Sequence, residues 1–446
     1  MHSRVRRWYL ARCLADAFLA GSWDRAGLEA RGAEALEPPP RWIPRLVDAV
    51  LDAYHRPPSD RPRELTAFVV FELETRAAYR RGPGWPQVHR WFLPPLEMGR
   101  RPWPVPELTS PAELAAFLEV DHGQLDWLAD ARGLERTVSD EKLRNYRYTW
   151  LSRGGGPARV IERPKSRLKA IQRRLLHEIL DYVPAHDAAH GFTRGRSAIT
   201  NASSHAGRPV VMSFDLEDFF ASVSAGRVYG MFRSAGYPEP VAHALTALTT
   251  NAVPIEEWSA VPRPADRALI GAHHRLGRRL ATPHLPQGAP TSPALANLAA
   301  FRLDRRLAGL AGALGATYTR YADDLTLSGP RRLLVQPERL RATVTEIARD
   351  EGFLVNARKS RAATQATMQR VCGVVVNQRP NAPRAEYEEL KAILYNAAKR
   401  GPEGENRSGV ADFRAHLLGR IAWMESLNPA RGGKLREQFS RVKWDR

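Results

Sequence analysis

Residues 318–328, which read YTRYADDLTLS, decide the fold. In this stretch, two short runs rich in aromatic, leucine and β-branched residues flank the adjacent acids Asp323 and Asp324. Such runs favour strands, so the stretch predicts a β-hairpin with acidic residues at its turn. Aspartate also suits a turn for a local reason, because its side chain hydrogen-bonds nearby backbone. That alternative stays open for the pair taken alone.

A third acidic residue lies upstream, at the end of a second predicted strand. The apolar run VVMSF at 210–214 leads directly into Asp215, within FDLEDFF at 214–220. If Asp215 and Asp323 share one site, their carboxylates are the hard oxygen ligands that Mg²⁺ prefers alongside substrate phosphates. Two such ions roughly 4 Å apart can activate an attacking hydroxyl and stabilise a leaving pyrophosphate. The sequence therefore predicts a divalent-metal site for phosphoryl transfer.

A loop rich in proline and glycine lies between these acidic segments, at 285–293 (LPQGAPTSP). Ser292, as a cap, and Pro293 predict the start of a helix. The apolar face of this predicted helix comprises Leu295, Ala299, Leu303, Leu307 and Leu310. Taken alone, the loop is equally well explained as chain punctuation. Beside a metal site, its glycine could pack flat against a base or sugar.

These three segments, in this order and spacing, resemble motifs A, B and C of the reverse transcriptase palm. The matching segments are FDLEDFF at 214–220, PQG at 286–288 and YADD at 321–324. Further segments resemble motif D (356–360), the primer grip (371–377), the fingers (161–169 and 190–192) and the thumb (419–423). The resemblance covers about 125–446.

The resemblance implies a mixed α/β (α+β) fold shaped as a right-hand polymerase. We expect fingers at 125–210, a palm at 211–378 with part of the fingers interleaved, and a helical thumb at 379–446. Among bacterial reverse transcriptases, the chain is most similar to the retron type. NASSH at 201–205 fits the NAxxH element of that type, and VCG at 371–373 stands where the type has VTG. Cys372 is close in size to threonine but hydrogen-bonds more weakly, so we expect catalysis to be intact.

The resemblance also implies roles for individual side chains. Asp215, Asp323 and Asp324 would be the catalytic metal ligands. Phe220 takes the position of the aromatic that stacks under the incoming sugar and excludes a 2′-hydroxyl, although Phe219 and Phe220 could both be core residues. The other candidates for nucleotide binding are Gln287, Lys359, Lys165, Arg167 and Lys169. Of these, Lys359 would approach the triphosphate as a mobile charge, unless it is a solvated surface lysine.

RNA and primer contacts are implied for a second set: Asn201, His205, Gly373, Arg420 and Lys434. For His205 a structural hydrogen bond is an equally good explanation. For the thumb cations Arg420 and Lys434, a solvated helix face is the alternative.

The charge distribution favours a nucleic-acid partner. The 446 residues include 67 Lys and Arg against 48 Asp and Glu, a net charge of +19. Residues 1–130 carry 17 arginines and 18 acidic residues, so the whole surplus lies in 131–446. Such a surplus favours a polyanion because neutralised phosphates release counterions, although a basic solvated surface is the alternative. The two cysteines, Cys13 and Cys372, exclude a disulfide scaffold.

Residues 1–110 are expected to form a mainly helical extension that ends in a proline-rich linker at 94–111. The spacing of Leu10, Leu14 and Phe18 predicts an amphipathic helix, and Ser110 predicts the cap of a helix after the linker. No apolar run is long enough to cross a membrane, so we expect a cytoplasmic protein without membrane association. We expect the extension to dock on the fingers or on a partner protein.

The retron resemblance implies a specific activity. The enzyme would copy a dedicated structured non-coding RNA into single-stranded DNA, primed from the 2′-hydroxyl of an internal guanosine, and leave a branched RNA–DNA product. It would use deoxynucleotides and two Mg²⁺ ions, which Mn²⁺ can replace. Expected partners are an effector protein in antiphage defence and, because no RNase H segment follows the thumb, a host RNase H.

Two alternatives remain. One is another bacterial reverse transcriptase, of the group II intron or abortive-infection type. The other is a non-catalytic RNA-binding scaffold with a relic palm, against which the intact acids argue.

Overall fold

The computed structural model describes residues 2–75, 86–151, 159–264 and 266–444, in which helices predominate over short strands. The helices are α1 (His2–Leu19), α2 (Arg25–Ala35), α3 (Ile43–Ala53), α4 (Pro62–Thr75), α5 (Pro111–Phe117), α6 (His122–Leu128), α7 (Leu134–Thr137), α8 (Ser166–Glu178), α9 (Ala198–Ser203), α10 (Ala225–Ser234), α11 (Glu239–Thr249), α12 (Ile255–Ser259), α13 (Arg267–Leu280), α14 (Ser292–Ala299), α15 (Phe301–Ala313), α16 (Pro337–Asp350), α17 (Arg384–Arg400), α18 (Phe413–Leu427) and α19 (Pro429–Ser440). The strands are β1 (Leu36–Glu37), β2 (Gln87–Val88), β3 (Tyr146–Leu151), β4 (Arg159–Pro164), β5 (Val210–Asp215), β6 (Thr317–Tyr321), β7 (Asp324–Gly329), β8 (Arg361–Thr364), β9 (Arg370–Val371) and β10 (Val374–Val375). A mixed α/β composition is thereby confirmed.

The chain divides into two compact units, each assembled from two segments. The first unit comprises 1–183 and 224–291, and the second comprises 184–223 and 292–446. The segment predicted as fingers, 125–210, is shared between them. The boundaries of fingers, palm and thumb therefore stay a prediction.

In the first unit, helices α1–α4 pack around their own apolar core. The predicted helix is confirmed, and Leu10, Leu14 and Phe18 are buried, but the predicted amphipathic character is wrong, because every residue from Cys13 to Leu19 is buried. Part of the predicted helical region, 76–85, lies outside the described residues. None of the described helices combines the length and the apolar character that crossing a membrane requires.

The proline-rich segment that follows has no regular secondary structure, as predicted, and lies against the loop between α10 and α11. The Gly99 amide donates to the Gly236 carbonyl at 2.7 Å. Arg233 pairs with Asp60 at 2.9 Å, and the Arg63 amide donates to Glu239 Oε2 at 2.8 Å. The helical extension is thus fastened to the rest of the first unit by several polar contacts.

The helix after this segment begins as the sequence predicts. Ser110 is the N-cap of α5, and its hydroxyl accepts from the Glu113 amide at 3.2 Å. Pro111 occupies the first helical position, where its missing N–H has no partner to lose.

Strands β3 and β4 form an antiparallel hairpin that leads into α8. Their register pairs Tyr148 with Glu162 on the buried face and Arg147 with Arg163 on the exposed face. Helix α8 buries Leu168, Ile171 and Leu175, as expected for an amphipathic helix.

The second unit contains a four-stranded antiparallel sheet in the order β6-β7-β5-β8. The central strand β5 is apolar because it is covered on both faces: Val210, Val211, Met212 and Phe214 are all buried. The predicted hairpin around the acidic pair is formed by β6 and β7. The sheet therefore sets the positions of both acidic segments.

One predicted helix is wrong in detail. The region from Ser292 to Leu310 forms two helices, α14 and α15, which are separated at Ala300 where ψ is 0°. Ser292 is the first helical residue rather than the cap, and Leu310 is only half-buried because Ala311 faces the core in its place. The sequence has no proline or glycine at Ala300 that would predict this break between the helices.

Candidate active site

Three carboxylates meet where strand β5 ends and strand β7 begins. The antiparallel register pairs Asp215 with Asp324. Asp323 lies in the turn between β6 and β7, and its carbonyl accepts from the Leu216 amide at 2.9 Å. Segments more than a hundred residues apart are thus joined by strand pairing at the acidic positions.

The crowding of negative charge perturbs the titration of Asp324. Desolvation of its carboxyl, followed by the charges of Asp323 and Asp215, raises the pKa of Asp324 to about 6. The residue keeps more than a third of its surface exposed, and the neighbouring like charges disfavour its ionised form. An arrangement of this kind attracts cations.

Lys359 supplies a positive charge to the same cluster. The chain at 354–356 runs beside Asp215 and Leu216: the Asn356 amide donates to the Asp215 carbonyl at 2.7 Å. This pairing brings the Lys359 ammonium to 2.7 Å from Asp215 Oδ1. Lys359 is therefore not a purely solvated surface lysine, although its side chain remains half-exposed.

A buried arginine supports the turn that carries Asp323. Ala322 has a left-handed backbone (φ +56°), and its carbonyl accepts from Arg320 Nη1 at 3.1 Å. Arg320 is fully buried and binds Asp304 through two hydrogen bonds, of 2.8 and 2.7 Å, while Nη1 also donates to Asn297 Oδ1 at 3.0 Å. Neither Arg320 nor Asp304 was predicted from the sequence. The available signal was an arginine in a strand otherwise made of threonine and tyrosine.

Gly191 presses against the same turn from the other side. A Cβ atom at this position would lie 2.5 Å from the Ala322 nitrogen, closer than any real contact. The amide of His190 donates to the Arg320 carbonyl at 2.7 Å, and Asn297 Nδ2 donates to the Gly191 carbonyl at 2.9 Å. The HGF segment at 190–192, which resembles a fingers motif, thus lies against the acidic turn in the second unit.

The two phenylalanines after Asp215 differ in their surroundings. Phe219 is buried, lies 5.6 Å from the Phe353 ring and stands under the Arg320 guanidinium. Phe220 is half-buried, with its ring 6.0 Å from that of Phe192. The core alternative therefore describes Phe219, whereas Phe220 retains surface for a ligand.

Asn201 and His205 are fully buried, which leaves their side chains no surface for direct contact with RNA. His205 bridges Ser328 and Thr319, at 2.7 Å from each hydroxyl, and burial lowers its pKa to about 3. Asn201 Nδ2 lies 3.2 Å from Cys372 Sγ. The geometry thus favours the structural explanation for His205, and the buried Asn201 side chain has no surface for the RNA contact predicted for it.

Cys372 and Gly373 form the turn of the β9–β10 hairpin, with φ of +48° and +82°. Burial, opposed in part by the Asn201 hydrogen bond, raises the pKa of the Cys372 thiol to about 12, so the thiol is protonated at neutral pH. Gly373 is exposed at the tip. The thumb candidate Lys434 is also exposed, and Arg420 pairs with Glu389 at 3.4 Å.

The PQG residues of motif B, 286–288, belong to the first unit, where they are hydrogen-bonded to strand β4. The Glu162 amide donates to the Gln287 carbonyl at 2.8 Å, and Gly288 has a φ of +132°. A Cβ atom on Gly288 would lie 2.9 Å from the Glu162 carbonyl oxygen, so only glycine fits here. The Glu162 carboxylate is buried and takes hydrogen bonds from His284 at 3.0 Å and Asn251 at 2.8 Å.

His284 and Glu162 form a buried hydrogen-bonded pair that was not predicted from the sequence. Burial lowers the pKa of His284, but the Glu162 charge and hydrogen bond, with the Thr282 carbonyl, outweigh it and raise the pKa overall.

The fingers cations also lie in the first unit. Arg167 and Lys169 are exposed on α8, while the Lys165 ammonium donates to the carbonyls of Glu141 and Lys142. The structure therefore gives Lys165 a structural partner. How Gln287 and these cations relate to the carboxylates of the second unit stays a prediction.

The carboxylates fit a divalent metal ion by their chemistry. Within the described ranges, no three His, Cys, Asp or Glu side chains are already arranged as a metal-ligand set. Mg²⁺ does not need one, because it typically binds one or two carboxylates together with waters and phosphates. Asp215, Asp323 and Asp324 supply such oxygens next to one another.

The chain is similar in sequence to known reverse transcriptases. Residues 153–380 match the family described as reverse transcriptase (RNA-dependent DNA polymerase). The chain is 41% identical over 295 residues to the retron Mx65 reverse transcriptase of Myxococcus xanthus, covering 66% of this chain and 64% of that protein. It is 37% identical over 354 residues to the retron Mx162 reverse transcriptase of the same organism, covering 76% and 68%. It is 34% identical over 239 residues to the retron Ec86 reverse transcriptase of Escherichia coli, covering 53% and 65%.

Proposed function

The chain belongs to the bacterial retron-type reverse transcriptases, and we propose that it is an RNA-directed DNA polymerase that makes retron DNA. The observation that carries the proposal is the pairing of Asp215 with Asp324 beside the Asp323 turn. A non-catalytic RNA-binding scaffold would gain nothing from three neighbouring carboxylates, because their like charges repel one another.

Asp215, Asp323 and Asp324 would hold two Mg²⁺ ions, or Mn²⁺ in their place. Bound there, the ions would acidify the attacking hydroxyl and offset the charge of the leaving pyrophosphate. Lys359 would move from Asp215 to the triphosphate as a mobile cation. The half-buried Phe220 would lie under the incoming sugar and favour deoxynucleotides, and Gln287 would contact the same nucleotide.

Arg320, Asp304 and Gly191 would act through the turn rather than on the substrate. Their contacts fix Ala322 in a left-handed backbone, which orients the next residue, Asp323. Rigid support of this kind matters because displacing a catalytic group by about 1 Å can cost on the order of 100-fold in rate.

The template would be a dedicated structured non-coding RNA, copied into single-stranded DNA from the 2′-hydroxyl of an internal guanosine. The retron enzymes among the relatives and the basic surplus of 131–446 support this choice. The product would be DNA branched from RNA, with template removal by a host RNase H. An effector protein and a role in antiphage defence complete the proposal, in a cytoplasmic setting.

Sequencing of the nucleic acid that copurifies with the protein tests this proposal. We expect one RNA species joined to DNA, which a 2′,5′-debranching enzyme converts to linear DNA. An intron lariat would point to a group II intron type, and RNA without attached DNA would point to the non-catalytic scaffold. Either result would contradict the proposal.

A further inference from the structure

We propose that Glu162, His284 and Asn251 form a closed hydrogen-bonded ring that positions the PQG segment 286–288, and with it Gln287, for the incoming nucleotide. The inference deepens the proposed function and rests on it for the contact between Gln287 and the nucleotide. The three are positioning residues in this role, because they act through the backbone of the segment and do not touch the nucleotide themselves.

The ring closes through side chains and backbone together. Glu162 Oε1 lies 3.0 Å from His284 Nε2, and Glu162 Oε2 accepts from Asn251 Nδ2 at 2.8 Å. The backbones of His284 and Asn251 then pair directly, each amide donating to the other residue's carbonyl at 2.9 Å. All three residues are buried. None of them can therefore move without breaking a buried hydrogen bond.

Glu162 also contacts the PQG segment with its own backbone. Its amide donates to the Gln287 carbonyl at 2.8 Å, and its carbonyl oxygen would lie 2.9 Å from a Cβ on Gly288. The carboxylate of the same residue meets the His284 ring, three residues before Gln287. One residue of β4 thus contacts the chain on both sides of Pro286, which fixes the segment between these contacts.

Two further elements support the ring. Tyr148 on β3 accepts from Asn251 Nδ2 at 3.0 Å and donates to Glu135 Oε1 on α7 at 2.8 Å. Buried polar networks in which the members are hydrogen-bonded are rigid, because each broken contact leaves a polar group without a partner. The ring is therefore suited to hold a loop in one position.

One titratable proton holds the ring together. His284 Nδ1 lies 2.7 Å from the Thr282 carbonyl, which can only accept, so this nitrogen carries a hydrogen. The contact between Nε2 and Glu162 needs a second proton, and the Glu162 charge, which raises the pKa of His284 against the effect of burial, retains that proton at neutral pH. Above the pKa the proton is lost and the ring opens.

The other titratable groups around the ring are Tyr146 and Tyr148 on β3 and Glu135 on α7. Burial raises the pKa of both phenols, so they stay neutral. Burial raises the pKa of Glu135 as well, against hydrogen bonds from backbone amides and from Tyr148. A pH test must therefore compare the wild type with a variant that differs at Glu162 alone.

Asparagine and glutamine at position 284 separate the two ring nitrogens. The amide nitrogen of asparagine takes the place of Nδ1 and keeps the Thr282 contact, whereas that of glutamine takes the place of Nε2 and keeps the Glu162 contact. With poly(rA)·oligo(dT) and dTTP, we expect His284→Asn to raise the KM for dTTP about 10-fold and to change kcat by less than about 3-fold. We expect His284→Gln to stay within about 3-fold of the wild type in both constants. Equal KM values in the two variants would overturn the proposal.

A matched control is His177→Asn. His177 also lies 3.1 Å from a carboxylate, that of Asp181, but both side chains are exposed on the surface. We expect the KM of this variant to equal that of the wild type. A rise equal to that of His284→Asn would show a general effect of the substitution and overturn the proposal.

Glu162→Gln replaces the titratable proton by an amide hydrogen. Its carbonyl oxygen can accept from Asn251 while its amide donates to the neutral His284 ring, so the ring stays closed at every pH. From about pH 7 to 9.5 we expect the KM for dTTP to rise about 10-fold in the wild type and to rise less in the variant. Parallel pH profiles would overturn the proposal, and this comparison decides it even if His284→Asn does not fold.

Chemical denaturation separates this proposal from the proposed function, because it needs no catalysis. If the wild type makes no DNA but His284→Asn unfolds at a lower denaturant concentration than His284→Gln, the proposed polymerase is refuted and the ring is supported. If the wild type makes DNA and both His284 variants share its KM, the positioning role is refuted and the polymerase stands.

Discussion

Arg320 combines two tasks that a point charge could not perform together. Its guanidinium binds Asp304 through two hydrogen bonds and still reaches the Ala322 carbonyl. Because both partners of the ion pair are fully buried, losing one leaves an uncompensated charge, which costs about 3–5 kcal/mol.

We therefore expect Arg320→Gln to lower the free energy of unfolding by about 3–5 kcal/mol. Arg320→Lys keeps the charge but not the fork, so it should retain more stability while DNA synthesis falls sharply. Chemical denaturation and a primer-extension assay measure the two effects. Wild-type stability in the glutamine variant would show that the pair does not support the turn.

A substitution at Gly191 tests whether close backbone packing holds the acidic turn in place. Gly191→Ala would place a Cβ against the Ala322 nitrogen and displace the turn, so we expect DNA synthesis to fall on the order of 100-fold. Gly230, inside α10, has open space around it, so Gly230→Ala should leave activity unchanged. Equal activity of the two variants would contradict the close packing of the turn.

His205 should make stability depend on pH. Its pKa is about 3 in the folded protein, whereas an unfolded histidine titrates near 6.5, so between these values only the unfolded state takes up the proton. The free energy of unfolding should therefore fall as the pH drops below about 6.5, by about 1.4 kcal/mol per pH unit from this group.

The variant His205→Gln should remove that part of the slope, and replacement of the exposed His122 should not. Denaturant unfolding at pH values from 7 down to 5 measures the difference. Parallel slopes for wild type and His205→Gln would show that His205 is not buried in its neutral form.

At the scale of elements, the helical extension is part of the first unit through the contacts of α10 and α11. Gly236 is central to this packing: its φ is +98°, and a Cβ would lie 2.9 Å from Arg101 Cγ and 3.0 Å from the Arg100 carbonyl. The extension thus contacts a segment within 211–378, whereas its docking on the fingers or on a partner protein stays a prediction.

Gly236→Ala should loosen the proline-rich segment from the α10–α11 loop and destabilise the protein by about 1–3 kcal/mol through the forced contact. Gly133, at φ +66° with open space, is the matched control, because Gly133→Ala brings backbone strain without a clash. Limited proteolysis within 89–109 should accelerate only in the Gly236 variant. Equal cleavage of both variants would contradict the packing.

The elements that the sequence predicted share one property, namely a pattern that is local. The β6–β7 hairpin, the end of β5 at Asp215 and the capped helix α5 follow from runs and caps that span a few residues. The break at Ala300, the Arg320–Asp304 pair and the burial of Asn201 and His205 depend on residues brought together by the fold. Periodicity in one segment carries no information about such partners.

At the scale of the whole molecule, the basic surplus lies in 131–446, whereas the acidic cluster is confined to one end of one sheet. A polyanion is attracted by the first feature and repelled by the second, unless cations neutralise the carboxylates. Binding of a polyanion at this end of the sheet therefore requires that Asp215, Asp323 and Asp324 act as one metal-binding unit.

The most direct test is a double-mutant cycle on DNA synthesis with Asp215→Asn and Asp323→Asn, with Asp126→Asn as an exposed control. Residues that act as a unit are not additive, so each single variant should lose about 1,000-fold or more and the double variant little further. Oligo(U) binding should persist in all of them. Synthesis at the wild-type rate in either single variant, or losses that multiply in the double, would contradict the shared site.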